Sequence, residues 1–174
     1  MTVKEIVASI HEKQPEITSV FFVGCGASMS DLYPAKYFLD AKCRRLRSVI
    51  YTANEFNYAT PVSVDSSAIV ITCSLSGTTP ETVAASKKAM ELGAAVVSVT
   101  IAPESPLAKA SHYQIIHGFA SSYSAKMEKP VNVLALAAEI LNTYEGYADY
   151  DKMQDGIRKI YGLIDNAVST VTPA

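Results

Sequence analysis

The feature that most constrains this chain is a regular alternation of short apolar, β-branched runs with amphipathic stretches. Residues 18–23 (TSVFFV), 67–73 (SAIVITC) and 95–101 (AVVSVTI) are almost continuously hydrophobic. Runs of this length suit strands covered on both faces, as in a parallel sheet. Residues 47–51 (RSVIY) and 112–117 (HYQIIH) read as two more strands, the second edge-like because it is more polar. Helical spacing recurs over 3–13, 30–43 and 79–92, with Gly93 placed to end the last of these. A short helix is expected over 106–110, and the C-terminal part reads as helices over about 130–143 and 149–169, fraying at Thr170–Ala174. Strand–helix–strand alternation implies right-handed crossovers, hence an α/β fold: a three-layer, doubly wound, parallel five-stranded sheet. A flavodoxin-like order, 2-1-3-4-5, would set the first and third strands side by side at the switch point, where such sheets bind ligands.

The bulk properties narrow the classes of function. A chain of 174 residues fits one domain, expected over 1–174. At that size roughly 70% of the unfolded surface is buried, so a core forms without metal or disulfides. A net charge of −2 offers no electrostatic footprint for nucleic acid or an anionic membrane. No apolar run approaches the ~18 residues that a spanning helix needs, and the N-terminal stretch lacks a secretory apolar core. Cys25, Cys43 and Cys73 show no CxxC or Cys/His metal spacing. The expectation is a cytoplasmic protein in a reducing compartment, without metal or cofactor.

Two loops carry chemistry. The loop after the third strand reads Ser74-Leu75-Ser76-Gly77-Thr78-Thr79-Pro80-Glu81, four hydroxyls within six residues at the start of a helix. A helix N-terminus has unpaired N–H groups and partial positive charge, which suit a phosphate. Gly77 permits a tight turn and close approach to a ligand. Capping competes as an explanation: Thr78 and Glu81 have capping-box spacing, and Pro80 suits the first helical position after an N-cap at Thr79. That accounts for one or two hydroxyls, but not for Ser74 and Ser76.

The loop after the first strand reads Gly24-Cys25-Gly26-Ala27-Ser28-Met29. Met29 stands where a dinucleotide fingerprint needs its third glycine, and no acid closes the second strand to hold a ribose. No GK[ST] occurs either. The remaining use of this loop is backbone approach to a sugar or phosphate, with Ser28 donating its hydroxyl. Cys25 and Cys73 lack a base and an orienting group, so they read as small buried side chains rather than nucleophiles. His117, at the ligand-facing end of the fifth strand, is a candidate pocket residue.

On these loops the chain resembles the sugar isomerase (SIS) domain family. The resemblance implies that Ser74, Ser76 and Thr79 contact a sugar phosphate, with Ser28 from the first loop. It also implies that backbone around Cys25, Gly26, Leu75 and Gly77 lines the same cradle. Over about residues 17–116, the segments VFFVGCGAS, YPAKYFLD, YTANEF, SLSGTTPETV and APESPLA are similar to the amino-terminal half of fructoselysine 6-phosphate (fructosamine) deglycases. Those enzymes convert a 6-phosphorylated Amadori product to glucose 6-phosphate and an amine. Within YTANEF, Glu55 matches a segment near the pocket. The resemblance places the proton-transferring glutamate and histidine in a second SIS domain, in a motif of the form ESGEFxHGP that does not occur here.

Three functions are therefore open: the phosphosugar-binding half of a deglycase-like enzyme, a complete one-domain aldose–ketose isomerase using Glu128 or Glu139 as base, and a non-enzymatic phosphosugar sensor. Whether the chain alone is an enzyme, and which residues would be catalytic, is left open. A homodimer is expected under each reading, because the resemblance implies pairing through helices flanking the site; the stretch 131–138 (VNVLALAA) would be a large exposed patch on a monomer if the domain itself does not bury it.

Overall fold

The near-continuous apolar runs do become fully buried strands. The structure is a computed structural model describing residues 1–118 and 123–171. Five strands, β1 (Ser19–Gly24), β2 (Arg47–Thr52), β3 (Ala68–Cys73), β4 (Ala95–Thr100) and β5 (Tyr113–Ile116), form one sheet in the order β2-β1-β3-β4-β5. Every pairing is parallel. This is the doubly wound order expected, and it makes β1 and β3 neighbours with Gly24 opposite Cys73. All residues of β1, β3 and β4 are buried. β2 and β5 are the edges, which explains their mixed exposure.

Helices cover both faces, so successive residues of one strand enter different cores. Val20 and Phe22 join Ile69, Ile71, Val97 and Val99 beneath α1 (Val3–Lys13), α2 (Ala27–Lys42) and α7 (Glu128–Glu145). Phe21 and Val23 join Val70 and Val96 beneath α3 (Ala53–Tyr58) and α4 (Pro80–Glu91). Full burial of a Val, Ile or Phe side chain is worth about 1.5–3 kcal/mol, so these two layers supply most of the driving force. Two short helices, α5 (Pro106–Lys109) and α6 (Tyr123–Lys126), flank β5, and α8 (Tyr150–Val171) completes the described chain. Among the described residues, no helix is long and apolar enough to cross a membrane.

Several expectations need correction. α2 begins at Ala27 rather than residue 30, so Ser28 lies in its first turn. α3 and α6 were not anticipated, α7 begins at Glu128, and α8 continues to Val171; residues 172–174 of the anticipated frayed end lie outside the described residues. The stretch 131–138 is no exposed patch: Val131, Val133, Leu136, Ala137 and Ala138 are buried within the domain. It therefore gives no argument for a dimer. α7 also holds a distant loop, because Glu145 accepts hydrogen bonds from the backbone N–H groups of Arg44, Arg45 and Leu46 at 2.8, 2.9 and 2.6 Å.

Candidate functional site

The parallel register brings the two hydroxyl-bearing loops to adjacent strand ends, on the carboxyl side of the sheet. A Cβ on Gly24 would lie 3.3 Å from the Cys73 carbonyl oxygen and 3.1 Å from the Met29 nitrogen, which shows how closely the first loop approaches β3. Gly26 adopts φ +54° and occupies the N-cap position of α2, with open space beside it. A side chain there would meet backbone strain rather than a clash.

Capping residues divide the helices into two groups. α1, α3 and α5 are each capped by a hydroxyl, from Thr2, Thr52 and Ser105. α2 and α4 are not. Thr79 holds the N-cap position of α4 with Pro80 next, yet its hydroxyl bonds to Ser74 Oγ at 2.9 Å instead of turning to the helix. Ser76 and Thr78 pair similarly at 2.7 Å. The capping explanation for this loop therefore fails at the residue best placed to cap. The early N–H groups of a helix have no intrahelical partner, so α4 presents donors beside these hydroxyls. In the first turn of α2 the N–H groups of Ser28 and Met29 are instead satisfied by the carbonyls of Cys25 and Gly26, both at 3.1 Å.

The loop 74–79 is rigid because β4 and the start of α5 grip it. Ser74 N–H donates to Val99 O at 3.2 Å, and Leu75 O accepts from Ile101 N–H at 3.0 Å and from the Thr100 hydroxyl at 2.9 Å. Gly77 is buried at φ +68°, and its carbonyl accepts from Leu107 N–H at 3.0 Å. A Cβ on it would lie 2.5 Å from Ser105 Cβ and overlap Ser105 Oγ. Only glycine fits.

The other singled-out residues have mixed placements. Ser28 reaches the Cys73 thiol, one residue before Ser74, rather than the Ser74–Thr79 pair. Burial pushes the Cys73 thiol up to about 11, against the pull of Lys129 and Ser28, so it is no thiolate near neutrality. Cys25 Sγ is 3.8 Å from the Thr82 hydroxyl. Glu55 is the acidic partner in the capping box of α3, accepting from Thr52 N–H at 3.0 Å and from its hydroxyl at 2.8 Å. The Thr52 hydroxyl, then its N–H, lowers the Glu55 pKa, opposite to the shift a general base would need.

His117 lies one residue beyond β5, its N–H bonded to Thr100 O at 3.2 Å. It lines a cavity of about 220 Å³ with Ala27, Leu75, Asp31 and Lys129. Lys129 is only 8% exposed and pairs with Asp31, joining α7 to α2. Three larger clefts, about 490, 290 and 280 Å³, are lined by residues such as Ser19 and Arg47, Thr18 and Leu46, and Arg44 and Glu145, near the amino ends of β1 and β2. Ligands of doubly wound sheets bind at the opposite ends, so the smaller cavity is the candidate for a ligand. Sequence reasoning missed Asp31 and Lys129. The available signal was a lysine immediately before the apolar run of α7.

A model of the SIS domain family matches residues 16–120, more than half of the chain and both loops. The chain belongs to the SIS domain family. Its SIS sequence is 31% identical to fructosamine deglycase FrlB of Bacillus subtilis over 166 residues, 95% of this chain and 51% of that protein. Glutamine–fructose-6-phosphate aminotransferase of Clostridium tetani is 33% identical over 89 residues, 51% of this chain and 14% of that enzyme. A crystal structure of a candidate phosphosugar isomerase from Salmonella typhimurium superposes with TM-score 0.93 at 36% identity, covering 98% of this chain and 51% of that one. The chain thus spans about half the length of the deglycase and of the Salmonella protein. Homology to the SIS domains of deglycases and aminotransferases agrees with the five-stranded parallel sheet.

Proposed function

We propose that the chain is a single SIS domain that binds a phosphorylated sugar, forming the phosphosugar-binding half of a fructosamine 6-phosphate deglycase-like enzyme. The observation that carries this reading is Thr79, a threonine in the N-cap position whose hydroxyl is turned to Ser74 and leaves α4 uncapped. A phosphate there would receive hydroxyls from Ser74, Ser76 and Thr79 together with N–H groups of the loop around Leu75 and Gly77, a donor set that needs no cation. The N–H of Gly77 itself is excepted, because it donates to Ser74 O at 3.1 Å. Ser28, Cys25 and Gly26 would close the other side. The substrate class is a 6-phosphorylated Amadori product, converted to glucose 6-phosphate and an amine in the cytoplasm.

Turnover is assigned elsewhere than to this chain's own carboxylates. Glu55 serves its own helix cap, Glu128 accepts from Gly118 N–H at 2.9 Å, and Glu139 accepts from the Tyr150 hydroxyl. The one-domain isomerase reading, which needs Glu128 or Glu139 as base, gains no support from these partners. Self-association remains part of the proposal and now rests on α8. Its row of Met153, Ile157, Ile160 and Ile164 has helical spacing, yet no residue of α8 is fully buried.

Calorimetry tests the binding claim. Fructose 6-phosphate should bind and fructose should not; equal binding of both would remove the phosphate from the argument. Purified chain incubated with fructoselysine 6-phosphate should release no glucose 6-phosphate, and robust release would place an acid–base pair within these residues.

A further inference from the structure

His117 is 4% exposed, and its two ring nitrogens differ. Nδ1 lies 2.7 Å from the Gly118 carbonyl oxygen, which can only accept, so Nδ1 carries the proton. The neutral ring then leaves a lone pair on Nε2. That atom is buried and has no hydrogen-bond partner among the described residues. Buried polar atoms are almost always paired, and an orphan in a cavity wall calls for an explanation.

The surroundings keep the ring neutral. Burial lowers its pKa first; Lys129 acts in the same direction, while the Gly118 carbonyl, Glu128 and Asp31 oppose it. Glu128 also fixes the segment, since its Oε2 accepts from Gly118 N–H at 2.9 Å and would stand 2.8 Å from a Cβ placed on Gly118. The charges of Lys129 and Asp31 neutralise each other across the cavity floor. The cavity adjoins the loop 74–79 through Leu75, and Thr100 holds both Leu75 and His117. Its volume of about 220 Å³ is below the ~300–1,000 Å³ of a whole-ligand pocket, so it suits part of a ligand.

We propose that His117 Nε2 accepts a hydrogen bond from a hydroxyl of the bound sugar, making this cavity the polyol-reading extension of the phosphate site. The inference rests on the phosphosugar reading above. It concerns specificity: a ligand with a donor at that position is favoured, and one with only acceptors there is rejected by lone-pair repulsion and an unpaired nitrogen. Phosphate alone, which is too small to reach the cavity from α4, does not engage His117.

Side-chain 15N NMR on the unmodified chain tests this directly, with inorganic phosphate and fructose 6-phosphate as probes. The His11, His112 and His117 signals are assigned by single substitutions. The unprotonated Nε2 resonance of His117 should move when fructose 6-phosphate is added and stay fixed with inorganic phosphate. His117→Phe should weaken fructose 6-phosphate about tenfold, the worth of one neutral hydrogen bond, and leave phosphate affinity within about twofold. An Nε2 signal unmoved by the sugar phosphate overturns the proposal. So does an equal loss for both probes in His117→Phe, which marks a structural role. Phosphate binding separates the two ideas: phosphate bound with Nε2 indifferent to the sugar sinks only this inference, and binding of neither probe sinks the phosphosugar reading with it.

Discussion

Two helices that start at the carboxyl edge of the sheet make opposite use of the same residue type. α3 opens with Thr52, which caps it and is matched by Glu55 in a complete capping box. α4 opens with Thr79, equally well placed, which bonds to Ser74 instead. A side-chain cap is worth about 1 kcal/mol, so α4 forgoes a common source of stability where a phosphate would gain most from bare donors. On the proposed reading, the difference separates an end built for folding from an end left open for a ligand.

The sharpest way to break this contrast is Gly77→Ala. The added methyl would overlap Ser105 and force φ +68° on an L-residue, so the loop must rebuild. Thermal melts should show a loss of about 3 kcal/mol or more, and calorimetry no measurable sugar phosphate affinity. Wild-type stability and binding in this variant would mean that the loop is not the rigid cradle described. Next in size, Ser74→Ala and Thr79→Ala should each weaken fructose 6-phosphate about tenfold, with Thr79→Ala changing stability by less than ~0.5 kcal/mol. If Thr79→Ala instead costs a full cap and spares binding, α4 is an ordinary capped helix.

Thr52→Ala supplies the converse: about 1 kcal/mol lost in urea denaturation, and unchanged affinity. The smallest effect is a titration. The Thr52 hydroxyl and N–H depress the Glu55 carboxyl below its usual 4.5. A carboxyl lowered by folding stabilises the native state above its unfolded pKa, and that stability is lost as pH falls through the folded value. Denaturation measured across pH 5 to 3 should therefore be less steep in Glu55→Gln than in the parent chain. Identical slopes would show that the capping box contributes nothing in solution.

The sheet was legible because β1, β3 and β4 are buried on both faces, which forces nearly unbroken apolar runs into the sequence. The hydroxyl loop was legible because its composition exceeds what capping needs. α3 was missed for its brevity, although Thr52-Ala53-Asn54-Glu55 spells a capping box that local reading could have caught. The start of α2 was obscured because Gly26, a residue without a capping side chain, stands at its N-cap. For Asp31 and Lys129 the only local hint was a lysine at the head of an apolar run: they belong to helices far apart in sequence, and only the packing of α7 on α2 makes them partners. The lone nitrogen of His117 is likewise a property of a fold, set by a carbonyl one residue on and a wall made by other elements.

The clasp of Glu145 on three successive amides has a consequence for anyone trimming this molecule. The family model ends at residue 120, but a fragment cut there would lack α7, opening one face of the sheet and leaving the turn at 44–46 without its anion. The smallest piece that can stand by itself therefore extends at least through Glu145.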